Sequence, residues 1–385
     1  MKISHRKYIG KNMNYKKYEL RELIKIKNGK DYRNEKKGLI PVYGTGGIVD
    51  YIDKHIYNGE SILLPRKGSL NNIEYIDGKF WTIDTMYWTK INKNIVYGKF
   101  LFLYLSLLNI TKRNTGSTLP SMTFETYYSL KIPLPEYEKQ KKIADFIFMI
   151  LDKIKNNSQI NNNLEELIKT IYQRWFIEFE FPNEEGKPYK SSGDKFVYND
   201  ELKQEIPEGW NVKKITEIAN VYQPEIITIK DIDLNGDYLL YGAGGLMGKY
   251  NKFNHEKSAI AISCRGNCGD TFMTQPKSWI NGNVMVVAPI EKYNYKEYIF
   301  RSLFKEKIMP LITGSVQKQI TRTNLSNLKL LIPNKRTLEL FEDTVKPYRS
   351  KINLVINENQ RLTELKNFLL PLLMNGQINV DDIEI

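Results

Sequence analysis

Cysteine is almost absent from this 385-residue sequence, which holds only Cys264 and Cys268. Two thiols four residues apart build no disulfide framework, and a reducing compartment follows. They also lack a second ligand pair, and His255 stands at no zinc spacing from them, so no metal site is expected. Histidine is nearly as scarce, and His5, His55 and His255 assemble no triad. The longest apolar stretch, around Phe100 to Leu108, is interrupted by Tyr104 and Ser106 and is too short to cross a bilayer. No N-terminal segment has the apolar core of a signal peptide. The expectation is a cytoplasmic protein with no membrane association.

Two catalytic signatures are missing as well. No GxxxxGK[ST] loop is present to cradle a nucleoside triphosphate. Nor is there an Asn/Asp-Pro-Pro-aromatic motif of the kind used to methylate a flipped base. Gly44-x-Gly46-Gly47 and Gly242-x-Gly244-Gly245 lack the G-x-G-x-x-G spacing of a dinucleotide site, so each reads as a tight turn. The chain is expected to be no enzyme and to bind no cofactor of its own.

What remains is a basic, foldable chain. Hydrophobic residues at 41% and charged residues at 26% supply real cores, and the length predicts two or three domains. Lys and Arg number 57 against 44 Asp and Glu, a net charge of +13. That excess favours a polyanionic partner without separating DNA from RNA or an anionic membrane. The 25 tyrosines suit base stacking and phosphate contact, and equally a composition rich in Asn, Lys and Ile.

An internal repeat organises the sequence. Tyr43-Gly44-Thr45-Gly46-Gly47 recurs 198 residues on as Tyr241-Gly242-Ala243-Gly244-Gly245. The same offset carries Lys67-Gly68 onto Arg265-Gly266, Trp81 onto Trp279, Thr115-Gly116-Ser117 onto Thr313-Gly314-Ser315, and Leu130-Lys131 with Pro135 onto Leu328-Lys329 with Pro333. Upstream, Tyr18, Leu20, Leu23 and Ile26 align with Trp210, Val212, Ile215 and Ile218 at an offset of 192. In each half a strand-rich block precedes a helical one.

The helical blocks carry a seam of alternating four- and three-residue spacings. The first runs through Ile143, Ile147, Ile150, Ile154, Asn157, Asn161, Leu164, Ile168, Ile171 and Trp175. Its counterpart runs from Phe341 and Val345 through Ile352, Val355, Asn359, Leu362, Lys366 and Leu369 to Leu373, and Pro347 is expected to kink that helix or to start a new one. Two such helices can satisfy each other as a coiled coil, parallel or antiparallel. A helix over Ile143 to Trp175 is about 50 Å long at about 1.5 Å per residue. That exceeds the roughly 34 Å of one duplex turn.

These residues resemble a type I restriction–modification specificity subunit over nearly the whole chain after residue 17. The most specific pieces are Thr115-Gly116-Ser117-Thr118-Leu119-Pro120, Leu130-Lys131-Ile132-Pro133-Leu134-Pro135 running into Glu138-Lys139-Gln140, and Arg174-Trp175-Phe176 followed by Phe179-Glu180-Phe181-Pro182. The second copy departs with Val316-Gln317-Lys318 in place of Thr118-Leu119-Pro120. The resemblance implies an α+β fold with two target-recognition domains, each a twisted sheet with short helices. Two long helices forming an antiparallel coiled coil separate them. Each domain reads one half of a bipartite site in double-stranded DNA. The helices act as a ruler and dock two methyltransferase subunits, with a restriction and motor subunit joining later. S-adenosylmethionine, ATP and magnesium belong to those partners. The same subunit could serve a modification-only or another restriction-class assembly. An enzyme with an unrecognised site and a non-DNA coiled-coil adaptor are the remaining rivals.

The expected layout is a basic arm over 1–17, a recognition domain over 18–135, a helical spacer over 136–180 and a linker over 181–208. A second recognition domain spans 209–333, a distal spacer 334–377 and a tail 378–385. Candidate DNA contacts are Arg66, Lys67 and Arg265 on Gly-flexed loops after strands, where a cation reaches phosphate or a guanine edge. Thr115, Ser117, Thr313 and Ser315 offer hydroxyls, with Arg113, Lys318 and Arg322 nearby. Solvated charges and plain turns account for the same residues. The spacer and partner positions are Ile143, Ile147, Ile150, Ile154, Leu164, Ile168, Ile171, Trp175, Ile352, Val355, Leu362, Leu369 and Leu373. Base-reading side chains belong where the two blocks differ, since unlike half-sites need unlike residues.

Overall fold

The structure is a computed structural model that describes residues 15–108, 121–228, 236–314 and 317–383. It divides into two compact units, Met1–Asn157 with Glu358–Ile385, and Ser158–Asn357.

In the first unit, β1 (Lys16–Glu19) leads through the single turn α1 (Leu20–Leu23) into β2 (Ile24–Lys27). There follow β3 (Lys37–Gly44), β4 (Gly47–Ile52), β5 (Tyr57–Pro65), β6 (Glu74–Thr82) and β7 (Met86–Ile91). Helices α2 (Gly98–Leu107) and α3 (Phe124–Tyr128) precede β8 (Lys131–Leu134) and the 36-residue helix α4 (Tyr137–Tyr172). Six strands form one sheet in the order β2-β7-β5-β6-β3-β4, all antiparallel except β3 against β6. Strands β1 and β8 pair separately, Tyr18 opposite Ile132, so the block begins and ends at one place. The core runs from Leu20, Ile62, Phe100 and Tyr127 into Ile143, Ile147 and Ile150 of the helix.

Gln140 shows why a glutamine belongs in the first turn of α4. It is buried, accepts from the Tyr97 amide (2.9 Å) and donates to the Pro135 carbonyl (2.9 Å). Those backbone groups would otherwise be left unpaired at a buried helix start.

The second unit opens with the hairpin β9 (Phe196–Asn199) and β10 (Gln204–Pro207). It then repeats the first: β11 (Asn211–Lys214), α5 (Ile215–Ile218), β12 (Ala219–Tyr222), β13 (Tyr238–Gly242), β14 (Gly245–Tyr250) and β15 (Ile260–Ser263). Next come β16 (Thr271–Met273), β17 (Ser278–Ile280), β18 (Val284–Pro289), α6 (Lys296–Ser302), α7 (Lys305–Ile308), α8 (Arg322–Ser326), β19 (Lys329–Ile332) and the 40-residue α9 (Lys335–Met374). The counterpart of β6 is split into β16 and β17, and the sheet is correspondingly divided into β12-β18-β15-β16 and β14-β13-β17.

The 198-residue offset holds from β3 to the long helices. Upstream it is corrected. Glu22 returns to the Glu19 amide at the start of α1, and Glu217 returns to the Lys214 amide at the start of α5, which fixes the offset at 195 and not 192. Tyr18 therefore matches Lys213, and Trp210 matches Tyr15. A second correction concerns Pro347: of its two expected outcomes the new helix is excluded, because α9 is continuous through it. Val345 and Ile352 on either side are buried in the core of this unit, and that packing outweighs the roughly 3 kcal/mol penalty of a helical proline. A third concerns 181–208, expected as a linker. Phe181 stacks on Tyr189 at 4.5 Å between ring centres, Ile206 is buried, and both belong to the core. The first strand starts at Lys16, inside the stretch expected as the arm; residues 1–14 lie outside those described.

Each unit pairs one end of α4 with the opposite end of α9, which makes the pairing antiparallel. In the first unit Asn157 is buried on the seam and donates to Asn359 Oδ1 (2.8 Å) and Glu358 Oε2 (2.9 Å). Leu369 and Leu373 share its core with Ile143 and Ile147. In the second unit Ile168 and Tyr172 pack with Phe341 and Val345. There Phe176 sits 4.9 Å from Phe341, 4.7 Å from Tyr298 and 5.9 Å from Trp210, so Arg174-Trp175-Phe176 belongs to the wall of this core.

One carboxyl in that unit is poised near neutrality. Burial pushes Glu342 up to about 7, although it accepts the Tyr298 amide at 2.9 Å. The folded state then holds a proton that the unfolded chain has lost between about pH 4.5 and 7, and stability falls as pH rises through that window. Glu342→Gln is expected to stabilise the protein at pH 8 by up to about 3 kcal/mol and to change little at pH 4. Urea midpoints at the two pH values check this, and an equal effect at both would refute it.

Candidate nucleic-acid interface

Two features that the sequence places far apart meet in each unit. In the first, β3 and β4 are joined by the turn Gly44-Thr45-Gly46-Gly47, with Gly47 at φ +104°. Strand β5 ends in Pro65 and runs into Arg66-Lys67-Gly68, whose Gly68 adopts φ +85°. A Cβ on Gly68 would lie 3.3 Å from Thr45 Oγ1, and Asn72 donates to the Thr45 carbonyl (2.9 Å). The cationic loop thus rests against the Gly turn. Lys67 also forms a bridge with Ser121, just after the Thr-Gly-Ser segment.

The second unit repeats the arrangement with different residues. Gly245 sits at φ +87° and Gly266 at φ +71°. The buried Ser263 hydroxyl donates to the Ala243 carbonyl (2.5 Å), and a Cβ on Gly266 would lie 3.9 Å from Ala243 Cβ. Arg265 bridges to Gln319, which exchanges two 2.9 Å backbone hydrogen bonds with Thr313. The Gly turn, the cation and Thr313 are therefore brought together here. Lys318 and Arg322 are exposed beside them, Arg322 opening α8 after the Thr321 cap.

The candidate cations differ in freedom. Lys67, Arg265, Lys318 and Arg322 are exposed and form no ion pair among the described residues. Arg66 is partly buried instead, reaching the Asp84 carbonyl (3.4 Å) with its guanidinium 5.9 Å from the Tyr87 ring centre. Arg113, Thr115, Ser117 and Ser315 lie outside the described residues. Burial pushes both thiols, Cys264 and Cys268, above their ordinary range, which makes them poor ligands. Among the described residues no cluster of His, Cys, Asp and Glu is placed to hold a metal, and no helix is long and apolar enough to cross a membrane.

Sequence reasoning passed over the two residues after each turn. Ile48 and Val49, and likewise Leu246 and Met247, are adjacent and all exposed. Their recurrence at the 198-residue offset was the available signal, together with two neighbouring apolar residues where a half-buried strand alternates. The seam positions are another matter. Ile143, Ile147, Ile150, Ile168, Ile352, Val355, Leu369 and Leu373 are buried, and Ile154, Leu164, Ile171, Trp175 and Leu362 partly so. They build the spacer. Apolar side chains free for a partner stand elsewhere on the same helices, at Met149, Leu365 and Phe368 in the first unit and at Ile160, Leu167 and Leu354 in the second.

Comparison with known proteins identifies the family. A family model described as "Type I restriction modification DNA specificity domain" matches residues 12–166 and again 207–366. The specificity subunit of the type I restriction enzyme MjaIX from Methanocaldococcus jannaschii is 29% identical over 295 residues, which is 70% of this chain and 65% of that one. The HindI specificity subunit from Haemophilus influenzae is 23% identical over 363 residues, 74% of this chain and 79% of the relative. Among solved structures, the S subunit of a type I restriction-modification system from M. genitalium superposes with a TM-score of 0.60 at 16% identity, covering 96% of this chain and 97% of that one. That likeness bears on the fold.

Proposed function

The chain belongs to the type I restriction modification DNA specificity domain family, and from that premise we propose that it is the sequence-specificity subunit of a type I restriction–modification complex. Each unit reads one half of a bipartite site in double-stranded DNA. The carrying observation is the duplicated constellation: a Gly turn, an exposed cation on a Gly-flexed loop and the strand ladder behind them occur once per unit. A single-site binder needs one such surface, whereas two unlike half-sites need two surfaces on one scaffold.

The chain performs no chemistry in this reading. It captures phosphates electrostatically, reads two half-sites and presents an adenine in each to a docked methyltransferase. The exposed apolar residues of α4 and α9 suit that docking, as does the open cleft lined by Ile171, Arg174, Trp175, Pro182 and Pro188. The spacing of the half-sites is set by the helix pair. S-adenosylmethionine is a substrate of the methyltransferase subunits, while ATP and magnesium serve the restriction and motor subunits.

Binding should be sequence-specific and should weaken steeply with salt, because cations that meet phosphates release condensed counterions. A gel-shift titration of the chain with its methyltransferase partner, over duplexes of varied sequence and at several salt concentrations, tests this. Equal affinity for every duplex at moderate salt would end the proposal.

A further inference from the structure

Successive side chains of a regular strand point to opposite faces of its sheet, so two neighbouring apolar residues on one strand are not both left in water. Both Gly-turn hairpins break that rule at the same position. In the first unit Val42 pairs with Asp50 and Tyr43 with Ile48, so Val49 is an extra residue. In the second, Leu240 pairs with Gly248 and Tyr241 with Leu246, so Met247 is the extra one. A bulge of this kind re-aims side chains. Here it leaves Ile48 and Val49 47% and 48% exposed, and Leu246 and Met247 57% and 42%.

The surroundings keep this pair at a protruding tip. A Cβ built on Gly46, Gly47, Gly244 or Gly245 would meet nothing within 4 Å, so the turns stand in open space. Gly44 and Gly242 lie close under the pair instead: a Cβ would crowd Ile83 and Val49 in one unit and displace the end of Met247 in the other. Beside each tip, where Gly68 faces Thr45 or Gly266 faces Ala243, stands the exposed cation Lys67 or Arg265.

Resting on the DNA-reading function above, we propose that each hairpin tip is a sequence-independent clamp on the duplex, its bulged aliphatic pair lying on the deoxyribose edge of a groove while Lys67 or Arg265 meets an adjacent phosphate. Sequence independence follows from the repeat. The two units face unlike half-sites, yet the bulge, the aliphatic pair and the cation occupy equivalent positions with like chemistry. Contacts to sugar and phosphate position a protein without reading bases. A two-stranded ribbon is narrow enough to enter the major groove. The charge beside the tip distinguishes DNA from a protein partner as the occupant.

The test uses the full chain together with the methyltransferase subunit it is proposed to carry. Affinity is measured across a salt series on a duplex bearing the recognised motif and on a scrambled duplex. Ile48→Ser with Val49→Ser, and separately Leu246→Ser with Met247→Ser, should weaken both duplexes alike by roughly tenfold per tip. The slope of log affinity against log salt should stay the same. Lys67→Ala or Arg265→Ala should make that slope shallower by about 0.9 per charge. None of the four should alter the motif selected from a random duplex pool. A changed motif would make the tip a base reader and overturn the clamp. So would unchanged affinity, or loss of the methyltransferase from a serine variant that keeps its DNA affinity. Should a serine variant fail to fold, the two alanine variants decide: an unchanged salt slope in both defeats the proposal. A wild-type complex without sequence preference would instead bring down the specificity function itself, before any variant is compared.

Discussion

Arg349→Met is expected to destabilise the second unit by about 3–5 kcal/mol, the cost of leaving a buried ion without its partner. Arg349 donates to Glu165 and, at 2.8 Å through both Nε and Nη2, to Glu297, whose side chain is only 4% exposed. Arg301 completes the quartet, reaching Glu165 and lying 2.9 Å from Glu297. Burial alone would raise the Glu165 carboxyl. The hydrogen bonds and charge of Arg349 and Arg301 outweigh it and hold Glu165 below the usual carboxylate range. Two carboxylates and two guanidiniums sum to zero, so the cluster tolerates burial only as a set. Without Arg349 a net negative charge remains among helices α4, α6 and α9. The quartet lies wholly within Ser158–Asn357, so this unit should melt first in urea. Adding Glu297→Gln restores neutrality and should recover much of the loss, since an ion pair removed together costs less than one half removed alone. A single variant with a wild-type midpoint, or a double variant no better than the single, would contradict this account.

Much of this architecture was legible because different residues recorded it independently. The Gly turns, Trp81 with Trp279 and the Leu-Lys-x-x-x-Pro strands fix one offset from residue 43 to the helices, and the seam spacing fixes the buried face of both helices. The upstream offset went astray because Leu and Ile recur every three or four residues around a helical turn. Sliding by three still matches apolar residues, and only the glutamates that cap α1 and α5 reveal the true alignment. The 181–208 segment reads as a linker because of its polar, turn-rich runs, Phe181 to Pro188 and Ser191-Ser192-Gly193. What folds it is a few aromatics, Phe179, Phe181 and Tyr189, that gather on Trp210 and one another. The site was half legible. Lys67 and Arg265 stand exposed beside the glycines that drew attention to them. The buried quartet was hidden, because Glu165, Glu297, Arg301 and Arg349 are far apart in sequence and look like ordinary surface charges. The bulged pairs needed the register.

Exchanging residues 209–333 for the equivalent block of a relative with another target should replace one half of the methylated motif completely and leave the other half and the spacing unchanged. The strand pairing explains why the cut is clean. The chain enters the block along Asn211–Lys214 and leaves along Lys329–Ile332, and these strands are antiparallel partners with Val212 opposite Leu331. Both junctions therefore lie side by side at one edge, and α9 begins three residues beyond the second. Residues 16–134 are closed off in the same way by Lys16 opposite Leu134. A whole recognition block can thus be exchanged without cutting a sheet, provided the incoming block carries an acid and an arginine where Glu297 and Arg301 meet Glu165 and Arg349 of the helices. The switch should be nearly absolute, since each mismatched base pair costs about 1–3 kcal/mol. Two mismatches in one half then lower occupancy of the old site by roughly 30-fold or more. Genome-wide sequencing of methylated bases in cells carrying the chimaera reads the outcome directly. If both halves changed together, base reading would be shared between the units. A changed spacer length would mean that the block, and not the paired helices, sets the distance between the half-sites.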